Sequence, residues 1–96
     1  MSITRHDISG HLSKVVEHNG TVYVAGTTAE DRSVGMKQQT EQVLALVDSL
    51  LAEAGSDKTK ILSATIYLPD IGDFAAMNAV WERWVVPGHT PARATV

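Results

Sequence analysis

Residues 61–96 read ILSATIYLPDIGDFAAMNAVWERWVVPGHTPARATV, and this stretch decides the fold. Its opening run, Ile61 to Leu68, alternates. Leu62, Ala64, Ile66 and Leu68 share one face, and Ile61, Ser63, Thr65 and Tyr67 share the other, as side chains of a strand must. The first set suits a helix-covered face. The second is semi-polar and fits solvent, a cavity or another subunit. Pro69 ends the strand because it has no N–H to donate. Asp70 is placed to cap a following helix, with Asp73 near the positive end of its dipole. Phe74, Met77, Trp81 and Trp84 then recur at helical spacing, and Pro87-Gly88 stops the run. Thr90 to Val96 (TPARATV) begins another strand.

Upstream lies the clearest helix, Met36 to Ala54. Met36, Thr40, Val43, Val47, Leu50 and Ala54 form one apolar stripe, which Leu44, Leu46 and Leu51 widen. Gly55 is its stop signal. A stripe this wide predicts packing across a sheet. Thr27 to Gly35 carries Glu30, Asp31, Arg32 and Ser33 and reads as a surface loop. Before it, Lys14–His18 and Thr21–Gly26 read as the arms of a hairpin. Asn19-Gly20 between them tolerates the positive φ of a type I′ turn. The first dozen residues are polar with isolated Ile3, Ile8 and Leu12, and predict a short edge strand. The order hairpin, helix, strand, helix, strand implies an α+β domain: a mixed β-sheet with two helices packed on one face and the other face free to meet a partner.

Composition narrows the function. Ninety-six residues make one small domain, and 44% hydrophobic with 20% charged residues is globular rather than disordered. No apolar run approaches the ~20 residues of a membrane helix. The opening MSITRHDISGHLSK lacks the apolar core of a signal peptide, so the cytoplasm is the expected compartment. The absence of cysteine excludes disulfides, thiolate nucleophiles and cysteine zinc sites. His6, His11, His18 and His89 show no metal-ligand spacing and read as solvated surface histidines. The net charge is −3, the basic residues are scattered, and aromatics are 5% of the chain. Neither a basic stripe nor a stacking platform for nucleic acid is evident. A small-molecule partner is the better expectation, with no nucleic acid and no membrane.

Three segments taken together resemble the Rid family (also called YjgF), the enamine and imine deaminases. They are TVYVAGTTAE after the Asn-Gly turn, LPDIGDFAAMNAVWERW, and TPARATV after Pro-Gly. The family pattern has a strand ending in Ser-Gly or similar, a long helix, an Asp-Phe-X-X-Met/Val-Asn helix and a Pro-X-Arg-X-X-Val strand. The match runs from about residue 12 to residue 96. The resemblance implies a chorismate-mutase-like fold and a homotrimer with clefts between adjacent subunits. It implies hydrolysis of 2-imino or 2-enamino acids to 2-oxo acids and ammonia, with no metal and no organic cofactor. Family members continue past the arginine strand and supply there a glutamate that activates water. On that pattern residues 1–96 are a single Rid-like domain that ends short at its C-terminal strand.

The resemblance also assigns residues. Arg93 takes the place that binds the substrate carboxylate, and a guanidinium fork is suited to a planar carboxylate. On the strand pattern alone, Arg93 reads more readily as a surface or interface ion-pair residue, and the resemblance is what favours the carboxylate role. Backbone groups around Ala25-Gly26 would line the cleft and contact substrate. Gly26 also reads simply as a turn glycine, needed for positive φ or close approach. Leu12 stands where many members carry a tyrosine donated across the interface, which predicts a preference for a more apolar substrate. Asn78, a poor mid-helix residue, is expected to make a structural hydrogen bond near the site. Thr95 replaces a cysteine found in some members. Trp81 and Trp84 read as core packing. Hydrolytic deamination is the leading expectation. The rivals are a non-catalytic trimeric module that binds a small carboxylate and, more remotely, a ribonuclease or translation inhibitor.

Overall fold

The hairpin is built by its turn. Asn19 and Gly20 both take positive φ, 53° and 75°, the type I′ geometry that matches the twist of the flanking strands. It joins β2 (Ser13–His18) to β3 (Thr21–Val24), and β1 (Thr4–Ile8) adds to the other side of β2. All three run antiparallel, in the order β1-β2-β3. The computed structural model describes residues 2–96.

α1 spans Met36–Glu53. It ends in a Schellman turn: Ser56 N–H donates to the Leu51 carbonyl (2.8 Å) and Gly55 N–H to Ala52 (3.0 Å). Gly55 sits at φ 75°, as that motif requires. Its buried residues are Thr40, Leu44, Leu50 and Leu51 rather than the whole predicted stripe. The Thr40 hydroxyl donates back to the Met36 carbonyl, which satisfies it under the helix. Loop 27–35 is not wholly a surface element, because Ala29 is buried.

A 3₁₀ turn at Lys58–Lys60 leads to β4 (Ser63–Ile66). Ala64, Ile66 and Leu68 pack on the core as the alternation predicts. Leu62 does not; it is 78% exposed, because it precedes the strand proper and follows the 3₁₀ turn. Asp70 caps a 3₁₀ turn, Ile71–Asp73, accepting from Gly72 N–H at 2.8 Å, and α2 (Phe74–Trp84) starts directly behind it. β5 (Ala92–Thr95) returns parallel to β4. The expected mixed sheet is therefore present as two hydrogen-bonded pieces, antiparallel β1-β2-β3 and parallel β4-β5.

Leu44 of α1 meets Met77, Val80 and Trp81 of α2 in the main core cluster, floored by Ala64, Ile66 and Leu68. Val15 is completely buried under the first sheet's helix-side face. The reverse face is bare, with Tyr23, Tyr67 and Val96 exposed. No helix among the described residues is long and apolar enough to cross a membrane.

Candidate functional site

β5 alternates, and its register sets the site. Arg93 pairs with Ala64 and Thr95 with Ile66. Registered partners share a face, so Arg93 and Thr95 point to the helix side while Ala92 and Ala94 stay exposed. The guanidinium of Arg93 lies under α2. Its Nη1 donates to Asn78 Oδ1 at 2.7 Å. Its Cζ stands 5.5 Å from the Phe74 ring centre and 5.2 Å from that of Trp81, both within cation–π range.

Asn78 is the hinge of this group. Its Nδ2 donates to Glu82 Oε1, one turn further along α2, at 2.6 Å. Among the described residues no carboxylate stands within ion-pairing distance of Arg93, and the ion pairs that exist belong to His6. A guanidinium carries five N–H donors and cannot lose its charge. Arg93 therefore holds a permanent, half-buried positive charge with donors left for an external anion.

Thr95 deepens the site. Its Oγ1 is buried with no hydrogen-bond partner. An orphaned buried hydroxyl costs about 1–3 kcal/mol, so its place beside Arg93 on one strand face marks polar capacity that the chain itself does not use.

Leu12, Ala25 and Gly26 form a second group at the open end of the hairpin sheet. Ala25 N–H donates to the Lys14 carbonyl (2.9 Å), the last ladder bond of that edge. Leu12 is held in a tight turn, where Ser9 N–H and Oγ both donate to its carbonyl. Its side chain is half exposed. Gly26 has neither positive φ nor any atom within 4 Å of where a Cβ would stand. Both reasons for a glycine that lie within the chain are thus absent, and the space beside it is open. Among the described residues, no hydrogen bond or ion pair joins this group to Arg93.

Displaced ionisations lie elsewhere. Hydrogen bonding to Glu17 raises the His6 pKa, and the neighbouring Asp7 carboxylate, as hydrogen-bond acceptor and like charge, raises that of Glu53. Ser33 and Thr59 hold Asp31 and Asp57 below the usual carboxylate range. Two surface depressions, of about 220 and 330 Å³, lie along α1 and are lined by none of the Arg93 or Gly26 group. They are open grooves on the helix layer, and the unpaired charge and orphan hydroxyl are the stronger markers of a site. Among the described residues no cluster of His, Asp and Glu is arranged to hold a metal ion.

The strand motif points to Arg93, the helix motif to Asn78. Phe74, Trp81 and Glu82 were missed. Their signal was their position: residues 74, 78, 81 and 82 fall on neighbouring rows of one helix.

The family model described as endoribonuclease L-PSP matches residues 3–96, nearly the whole chain. The chain belongs to the Rid/YjgF family. The RutC family protein YoaB of Escherichia coli strain K12 is 47% identical over 96 residues, covering 100% of this chain and 83% of that protein. A crystal structure of a YjgF family member from Neisseria meningitidis superposes with a TM-score of 0.96 at 45% identity, covering 100% of this chain and 80% of that one. The chloroplastic Reactive Intermediate Deaminase A of Arabidopsis thaliana is 30% identical over 92 residues, 90% of this chain and 49% of that protein. The α+β architecture expected for a Rid/YjgF protein is the one observed.

Proposed function

We propose that this Rid/YjgF protein hydrolyses reactive 2-imino acids, and their 2-enamino tautomers, to 2-oxo acids and ammonia. The observation that carries the reading is Arg93, charged and half-buried, steadied by Asn78, Phe74 and Trp81 and lacking a carboxylate partner. A planar substrate carboxylate supplies that partner through two parallel N–H···O bonds. Backbone groups at Ala25-Gly26 orient the imine, and the open space beside Gly26 admits it.

Water then adds to the imine carbon. A proton passes from the added water to nitrogen, the C–N bond breaks, and ammonia leaves as the carbonyl forms. The protonated imine is electrophilic already, so placement supplies most of the required acceleration. The Leu12 and Gly26 group and the Arg93 group meet between subunits of a homotrimer. The bare sheet face with Tyr23, Tyr67 and Val96 supports such an assembly, since apolar surface of this kind marks an interface. The name of the Arabidopsis relative agrees with deamination.

The test is release of 2-oxo acid from freshly generated 2-iminopropanoate, with the intact chain and without protein. Acceleration that disappears in Arg93→Ala supports the reading, and no acceleration overturns it. A second reading, a carboxylate-binding module without turnover, is favoured by Leu12, which offers no hydroxyl where the family often has tyrosine. Thermal stabilisation by pyruvate without turnover would select it. Ribonuclease activity, named in the family model's description, is the weaker reading for a chain of net charge −3 with scattered basic residues.

A further inference from the structure

We propose that Glu82 is a positioning residue for Arg93, acting through the side-chain amide of Asn78. The inference rests on the reading that Arg93 receives a carboxylate, and it concerns how the guanidinium is kept ready. Arginine offers only donors, so Asn78 must turn its oxygen toward it. An amide has two orientations of nearly equal shape, and only its surroundings choose between them. In the flipped orientation the amide N–H₂ would face the guanidinium. Glu82 decides the matter, because its Oε1 accepts from Asn78 Nδ2 at 2.6 Å and a carboxylate can only accept.

Charge follows the same logic. Glu82 stands one turn beyond Asn78 and makes no ion pair with Arg93. It polarises the amide so that Oδ1 is a stronger acceptor, yet it does not occupy the donors a substrate needs. The rings of Phe74 and Trp81 hold the guanidinium in place, and the Asn78 bond sets its rotation. An exposed i, i+4 pair is ordinarily worth little to helix stability. The consequence of this one is felt at Arg93.

The test uses three variants of the intact chain. Glu82→Gln keeps an acceptor and should behave nearly as wild type. Glu82→Ala removes it. Glu82→Lys can only donate, and so favours the flipped amide. With 2-iminopropanoate as substrate, KM should rise about tenfold in Glu82→Lys and less in Glu82→Ala, the loss of roughly one hydrogen bond to a charged group. kcat should be little altered, and thermal melting unchanged. In an Asn78→Ala background, Glu82→Lys should have no further effect, because its route is gone. Nitrogen NMR of the Arg93 side chain in the ligand-free protein gives a readout independent of turnover. Rotation about its Cζ–Nε bond should be slow in wild type and Glu82→Gln, and faster in Glu82→Lys. Unchanged Arg93 signals in Glu82→Lys overturn the relay, whatever the activity. Altered Arg93 signals in a protein with no turnover uphold the relay and overturn the deaminase reading instead.

Discussion

The two ends of this chain spend their polar side chains differently. In the hairpin half, β1 to β3 with the end of α1, the half-buried His6 and Glu17 satisfy one another. His6 Nε2 meets Glu17 at 2.5 Å, and its Nδ1 lies 3.8 Å from Glu53 at the end of α1. Asp7 takes φ 51° beside this group, and the nearness of its carboxylate raises the Glu53 pKa. In the β4–α2–β5 half, Arg93 has hydrogen-bond and aromatic support but, among the described residues, no countercharge, and Thr95 Oγ1 has no partner among them. One half pairs its half-buried charge within the fold, as a structural element does. The other leaves charge and a hydroxyl unanswered, and unanswered polar groups in a folded protein are where an outside molecule enters the account.

The largest effect expected from this contrast is on chemistry. Arg93→Ala should lower kcat/KM for 2-iminopropanoate about 10²–10³-fold, the loss of a bidentate charged contact. Its melting temperature should fall only modestly, through the lost Asn78 hydrogen bond and ring contacts, since among the described residues Arg93 has no ion pair to lose. A large drop in melting temperature instead would make Arg93 a structural residue and erase the contrast.

Next comes the core beneath the same site. Met77 is 2% exposed, and Met77→Ala should destabilise by about 2–5 kcal/mol through lost burial and the cavity left behind. Urea unfolding measures this directly. A loss below that range would mean that α2 is held mainly by its surface contacts.

Gly20→Val places a branched side chain at φ 75° and should cost about 1–2 kcal/mol. The substitution lies at the turn of the hairpin, at the opposite end of β3 from the Ala25-Gly26 group. Turnover per folded molecule should therefore be unchanged, and a parallel loss of kcat would show that the hairpin turn communicates with Arg93.

The smallest effect belongs to His6. Glu17 raises its pKa above 6.5, so the folded state binds this proton more tightly than the unfolded chain. The stabilisation is complete below the unfolded value of 6.5 and disappears as pH rises through the raised folded value. The urea midpoint of wild type over His6→Ala should accordingly narrow with rising pH, in a small step because the network is exposed to solvent. A difference that is flat with pH would remove the ion network from the hairpin's stability.

By itself, the sequence determined the parts whose physics is local. Asn19-Gly20 dictated the type I′ turn, Gly55 the end of α1, and the alternation from Ser63 to Leu68 the face that meets the helices. It also carried Arg93 and Asn78 as family positions, without saying that they touch. Tertiary structure alone decided what depends on packing between distant segments. Leu62 lost its place in the alternation because the 3₁₀ turn before it resets the strand. The sheet fell into two hydrogen-bonded pieces, since ladder bonds depend on which strand edges come together. Trp81 became a platform for Arg93 as well as core, and Glu82 acquired a role, only when β5 docked under α2. Local signals act through dihedral preferences and the spacing of neighbours along the chain. A charge without a partner is a property of everything around it, and that is known only once the chain has closed on itself.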